Sequence, residues 1–236
     1  CYLEKKRLDH LSLIFGNVSP GLLLNGLILE AGAGLLALLR PWSASNQSSP
    51  FFMGVGAFNM VRANVYSAID GHRRIRMHPI DDLMLGKCIK KQGGRQECLL
   101  AQDLITVAWY PSVSAMIRGL MKNVFALFHY RLWLTAIALV IVFTLGILPF
   151  WAMLFSSSHA CWIWASIVFV RVACYFIGAS LSGMSLLVVF TCLVTPYISF
   201  YTISRSAFVT LINGGITWRT TFYSLKELRK SKPLLF

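Results

Sequence analysis

The chain has 236 residues, of which 56% are hydrophobic and 13% charged, and its formal net charge is +13. That charged share is about half of what a water-soluble domain carries, which excludes a wholly soluble protein, and the length leaves room for one small domain plus a few membrane spans. The 22 Lys and Arg residues are scattered or flank apolar stretches, without any helix-turn-helix, zinc-finger or RNA-binding pattern. The positive balance therefore reads as retention at an anionic cytoplasmic leaflet and not as nucleic-acid binding.

The charge is unevenly placed. Residues 1–131 hold 15 Lys/Arg against 8 Asp/Glu, whereas Leu132 to Ser204 hold one charge, Arg171. Cysteines and histidines are dispersed: Cys161, Cys174 and Cys192 fall in the apolar block as small hydrophobes, and Cys1, Cys88 and Cys98 show no metal-ligand spacing. In chain order, Cys1 to Asp9 is a charged helical run with neither a signal nor a transit pattern, the look of the middle of a longer sequence. Leu11 to Phe15 reads as a short strand closed by Gly16-Asn17 and Pro20. Gly21 to Leu39 is apolar, but Asn25, Glu30 and three interior glycines predict a helix lying on the membrane face or packed within the domain, because a mid-bilayer Glu costs several kcal/mol.

After a polar loop (Ser43 to Pro50), Phe51 to Arg62 is extended and glycine-punctuated, and a short helix ends at Asp70-Gly71. Pro79 opens a helix with Asp81 and Asp82 at its positive end and Lys87, Lys90 and Lys91 in its last turns before Gly93-Gly94. Glu97 to Ala101 and Leu104 to Trp109 read as a hairpin turned at Gln102-Asp103. Ser112 caps an amphipathic helix in which Val113, Met116, Ile117, Leu120, Met121, Val124 and Phe128 recur at helical spacing. Uncharged stretches at about 133–155, 161–178 and 184–203 read as three membrane helices. Residues 205–236 form a basic tail containing Gly214-Gly-Ile-Thr-Trp-Arg219 and Tyr223.

Three local features carry chemistry. Asp81-Asp82 at a helix start supplies one capping carboxylate and one general base kept ionised by the helix dipole, although capping alone also accounts for the pair. Gly54-Val-Gly-Ala-Phe-Asn59 permits close backbone approach to a ligand. Arg118 and Lys122, at i and i+4, form a cationic pair able to grip a diphosphate, or else snorkel from a membrane-surface helix.

Their order resembles the membrane-bound family 2 glycosyltransferases, the group of cellulose synthases and ceramide glucosyltransferase. Gly56-Ala-Phe-Asn59 with Arg62, and Ile69-Asp-Gly-His72, resemble the acceptor-side segment of that family. Asp81-Asp82-Leu-Met-Leu-Gly86 resembles its E-D-x-x-L-G motif, Arg118-Gly-Leu-Met-Lys-Asn123 stands where many members carry Q-x-x-R-W, and Trp218-Arg-Thr-Thr-Phe-Tyr223 resembles a W-[KR]-G-x-x-Y ending. The resemblance implies an α/β fold, part of a GT-A (Rossmann-like) domain over residues 1–131, followed by transmembrane helices over 132–204.

It further implies Asp82 as catalytic base beside Asp81, acceptor contacts at Gly56, Ala57, Phe58 and Asn59, and donor-diphosphate contacts at Arg118, Lys122 and Asn123. The donor would be a nucleotide-sugar and the acceptor a lipid or lipid-linked saccharide, at a bacterial inner or plasma membrane with the catalytic part cytoplasmic. The D-x-D pair that holds Mg²⁺ or Mn²⁺ in such enzymes is absent from the sequence, so the metal ligands are expected outside this chain. The rival expectation is a non-enzymatic membrane protein, a transporter piece or scaffold, favoured by Arg171 inside an apolar stretch.

Overall fold

The computed structural model describes residues 1–75, 78–218 and 221–230. The chain divides into two compact units: residues 1–17 with 34–107 and the chain from Lys226 onward, and residues 18–33 with 108–225. The boundary expected at residue 131 thus falls at 107, because the amphipathic helix after it packs with the helices and not with the sheet.

In the first unit, helix α1 (Tyr2–Lys5) leads into strand β1 (His10–Asn17), which lies between β2 (Asn59–Val61) and β3 (Gln96–Val107). β1 pairs antiparallel with β2, with His10 opposite Val61, and parallel with β3, with His10 opposite Gln96. The expected hairpin at 97–109 does not form. Its two halves are one strand that follows β1 throughout, and the register jumps from Phe15↔Ala101 to Gly16↔Thr106. The polar Gln102-Asp103 pair sits in that bulge, and a side chain at Gly16 would come within 2.6 Å of the Gln102 carbonyl. Two further helices, α3 (Ala63–Ala68) and α4 (Asp81–Lys91), complete the unit. α4 carries acids in its first turn and Lys90 and Lys91 in its last, and it ends on Gly93 at φ +81°, a conformation only glycine takes without strain. Leu83, Met84, Leu85 and Ile89 bury its inner face.

Helix α2 (Leu22–Leu39) contributes residues to both units. With its extension to Ser43 it is one of three segments long and apolar enough to cross a membrane, alongside Leu132–Phe155 and His159–Leu181. Length and composition do not decide its path, however. β1 before it is hydrogen-bonded to β2 and β3 after it, so both flanks of α2 lie on one side of any bilayer. Residues 40–58 offer no second helix for a return crossing, and unpaired backbone does not traverse hydrocarbon. The two flanks of α2 are thus tied together by one sheet.

In the second unit, Ser112 caps α5 (Val113–Leu127), its hydroxyl accepting a hydrogen bond from the Ala115 amide at 3.1 Å. Met116, Phe125 and Ala126 are buried on the inner face of α5. α6 (Leu132–Val142) continues through a π turn, Phe143–Ile147, into α7 (Leu148–Phe155). Pro149 has no N–H for the regular ladder, and the wider turn just before it accommodates the loss. α8 (Ser158–Leu181) packs back along α7.

The third expected membrane helix, 184–203, is not one helix. A 3₁₀ segment, Leu186–Leu193, meets α9 (Thr195–Ile212) in a 60° bend. Pro196 explains the break: it cannot donate to the carbonyl four residues earlier, Cys192, and the Arg171 Nε group donates to that carbonyl instead, at 3.3 Å. The tail is structured as well. α9 runs through Arg205 to Ile212, and β4 (Gly215–Trp218) pairs antiparallel with β5 (Thr221–Ser224) before α10 (Leu225–Lys230). Arg219 and Thr220 of the expected Trp218–Tyr223 motif lie outside the described residues.

Candidate functional site

The first turn of α4 faces the glycine-rich loop of the same unit. Val55 to Phe58 is a turn closed by the Phe58 amide on the Val55 carbonyl at 2.9 Å, with Gly56 and Ala57 exposed at its tip. Asp82 reaches this tip. Its Oδ2 accepts from the Gly56 amide at 2.9 Å, and its Oδ1 accepts from the Leu83 amide at 2.8 Å. Asp81 Oδ1 accepts from the Asp82 amide at 3.1 Å; the expected capping carboxylate is not found, since Ile80 holds the N-cap position and no side chain caps the helix there.

The glycines make this closeness possible. A side chain at Gly54 would collide with the Asp82 carbonyl, and one at Gly86 with the Met53 carbonyl. Backbone of the loop and backbone of α4 are thus in contact at both ends of the sequence motif. Gln96 sets the spacing from behind: its Nε2 donates to the Gly86 carbonyl at 3.0 Å and its Oε1 accepts from the Met53 amide at 2.8 Å, fully buried. Sequence reasoning missed Gln96, since a glutamine at a strand start has no distinctive spacing.

Asn59 is a positioning residue in this arrangement. Its Oδ1 accepts from His10 Nε2 at 2.9 Å and from the Val55 amide at 3.2 Å, which fixes the loop to β1. Burial lowers the His10 pKa from the usual histidine range, so the ring is a neutral donor at pH 7. Phe58 holds the other edge of the loop through its carbonyl, which accepts from the Leu13 amide at 3.4 Å. On the far rim, the Tyr66 hydroxyl and His72 Nδ1 share a hydrogen bond of 2.6 Å, and the Tyr66 ring packs over Gly71. Of the four expected acceptor residues, Gly56 and Asn59 line one hollow of about 520 Å³ together with Val61, Ala63, Tyr66, His72, Asp81, Asp82 and Leu85, whereas Ala57 and Phe58 are not in its lining.

The electrostatics distinguish the two acids. Burial pushes the Asp82 carboxyl above the ordinary carboxylate range, the charge of Asp81 adds to that push, and the Leu83 and Gly56 amides oppose it. A half-buried carboxylate held by two amides and facing a hollow has the geometry of a proton acceptor. Among the described residues, no group of three or more His, Cys, Asp and Glu is placed to hold a metal ion. Three of the four oxygens of the acid pair accept backbone amides, and the Mg²⁺ or Mn²⁺ that the resemblance implies is expected on residues outside this chain.

The expected diphosphate residues belong to the second unit. Arg118 is exposed and lines a separate hollow of about 350 Å³ with α9 and β4, including Thr210, Asn213 and Thr217. Asn123, five residues further round α5, points about 140° away from Arg118. Its Oδ1 is buried without a hydrogen-bond partner among the described residues, and Asn123 does not line that hollow. The helix period thus separates two residues that the sequence motif groups together. The side chain of Lys122 lies outside the described residues.

No family model, no curated protein and no solved structure matches this chain.

Proposed function

We propose that the chain is the acceptor-side part of a membrane glycosyltransferase that moves a sugar from a nucleotide-sugar to a hydroxyl or amine of a lipid or lipid-linked saccharide. The observation that carries this reading is the Asp82 carboxylate, anchored by the Gly56 and Leu83 amides at the rim of the hollow. Asp82 takes the acceptor proton as the acceptor oxygen or nitrogen attacks the anomeric carbon. The bond from that carbon to the donor diphosphate breaks on the opposite face, which inverts the configuration. The backbone contacts at Gly54 and Gly86 support the reading because they hold base and loop at a constant separation. Asp81, occupied with the Asp82 amide, orients the turn.

The sequence motif also offers Arg118 and Lys122 as cations for a diphosphate. The donor itself, and any metal it brings, would be held by residues other than these 236. The segments long and apolar enough to cross a membrane support a membrane setting for such chemistry, where a lipid acceptor is available. Arg171, the feature that favours the rival non-enzymatic reading, is paired with Glu30 and donates to the Cys192 carbonyl, which gives it a structural role.

Sugar transfer in membranes containing the whole gene product tests the proposal, with rates normalised to folded protein. Asp82→Asn keeps the shape and removes the base, so turnover should fall by roughly 10²–10⁴ while donor binding persists. Asp81→Asn should cost about tenfold, the loss of a carboxylate that orients the Asp82 amide. Equal losses at the two positions would mean a shared structural role, and unchanged transfer in Asp82→Asn would end the assignment.

A further inference from the structure

Residues 186–212 are apolar and end to end long enough for a third crossing, yet the packing of the helical unit marks the depth of each part. The segment starts beside α5: Met184 packs into the cluster of Leu24, Leu27, Ile28 and Met116. It then climbs back along α8. Val188 and Cys192 pack on Tyr175, and the Cys192 carbonyl accepts from Arg171, one turn nearer the far end of α8. Eight residues of 3₁₀ helix advance about 16 Å, half of a hydrocarbon core of about 30 Å.

The chain turns there. Pro196 lies at the level of Gly146, the middle of the Leu132–Phe155 segment, since a side chain at Gly146 would meet Pro196 at 2.8 Å and the Arg171 head at 3.7 Å. α9 packs along α6 from that level. Ten residues after Pro196, the Ser206 hydroxyl donates to the Met121 carbonyl of α5 at 2.6 Å and accepts from the Phe125 amide at 3.2 Å. α5 immediately precedes the start of α6, so α9 has returned to the side from which α6 departs. A 60° bend is compatible with either a broken crossing or a return, and these contacts separate the two.

The turning point has its own polar anchor. Glu30 Oε2 accepts from Arg171 Nη2 at 2.8 Å and from the Tyr175 hydroxyl at 2.6 Å, while Tyr175 and Thr195 share a hydrogen bond at 2.5 Å. The Cys192 carbonyl and the Thr195 hydroxyl at the break are thereby given partners inside protein, as non-helical backbone at membrane depth requires. Outward from the anchor, Leu186, Leu187, Phe190, Leu193 and Val194 are exposed apolar side chains.

We infer that residues 186–212 form a re-entrant segment: its apolar surface contacts the acyl chains of one leaflet only, and the β4–β5 hairpin emerges on the same membrane face as α5. This inference is independent of the transfer reaction. It also removes a conflict in the sequence, because three crossings would carry a tail rich in Lys and Arg to the face opposite the basic residues 1–131.

The experiment is labelling of single-cysteine variants of the whole gene product by a membrane-impermeant maleimide, in sealed vesicles and after permeabilisation. Ser157→Cys, between α7 and α8, reports the far face; Ser114→Cys, at the start of α5, reports the near face; Thr221→Cys reports the hairpin. The native cysteines are replaced in each. The expected result is that Thr221→Cys and Ser114→Cys are labelled under the same condition and Ser157→Cys under the opposite one. Labelling of Thr221→Cys together with Ser157→Cys would overturn the inference and make 186–212 a complete, broken crossing.

Discussion

Two of the carboxylates that the fold buries in part, Asp82 and Glu30, are accommodated in opposite ways. Asp82 accepts two backbone amides, has another carboxylate for a neighbour and faces a hollow. Glu30 is matched by a guanidinium and a phenol inside an apolar helical unit, with about a sixth of its side chain exposed. The first keeps a lone pair for a ligand and pays with a raised proton affinity. The second is neutralised by a cation, with both hydrogen bonds on its Oε2, and it holds helices together. Partial burial of an acid therefore does not by itself indicate chemistry; what counts is whether a cation neutralises it and whether it faces a hollow.

The strongest way to break this comparison is to strip Glu30 of its partner. Arg171→Ala leaves a carboxylate and the Cys192 carbonyl uncompensated in low dielectric and should cost on the order of 3–5 kcal/mol. The double variant Glu30→Gln with Arg171→Met removes the unpaired charge and should recover most of that loss. Thermal unfolding in detergent, followed by tryptophan fluorescence, checks both; equal Tm losses in single and double variants would show that the pair is solvated and not a buried clamp.

A smaller effect sharpens the Asp82 side. Its raised pKa means that the native state binds this proton more tightly than the unfolded chain does. The stabilisation from the neutral carboxyl is complete below the unfolded value, near 3.9, and is lost as pH rises through the higher native value. Asp82→Asn should abolish that fall in stability. If Asp82 is the base, the acidic limb of the pH–rate profile should lie above the usual aspartate range and disappear in the same variant. A limb at the ordinary position would mean that another group takes the proton.

The smallest expected effect tests a helix start where no chemistry is proposed. Ser112→Ala removes one cap from α5 and should lower stability by about 1 kcal/mol, without altering the pH dependence. A change in the acidic limb on this substitution would tie α5 to the proton transfer and blur the contrast between the two units.

Sequence alone determined what depends on neighbours along the chain. The acids at the start of α4 and the lysines at its end, Gly93 as its stop, Ser112 as a cap and the uncharged length of 133–155 are local statements about backbone groups and solvent, and all appear in the structure. Tertiary structure decided whatever depends on partners far away in sequence. Gln102-Asp103 reads as a turn until β1 is seen to pair with both halves of β3. Gly21 to Leu39 passes a span test until the same sheet ties its two flanks together. Residues 184–203 read as a plain span because hydropathy cannot register the hydrogen bond lost at Pro196, nor Arg171 arriving from another helix to replace it. The convergence of the Gly54–Asn59 loop on Asp82 has the same origin: the motif residues are recognisable in sequence, but their contact is made by backbone across 26 positions, fixed by two glycines and one buried glutamine.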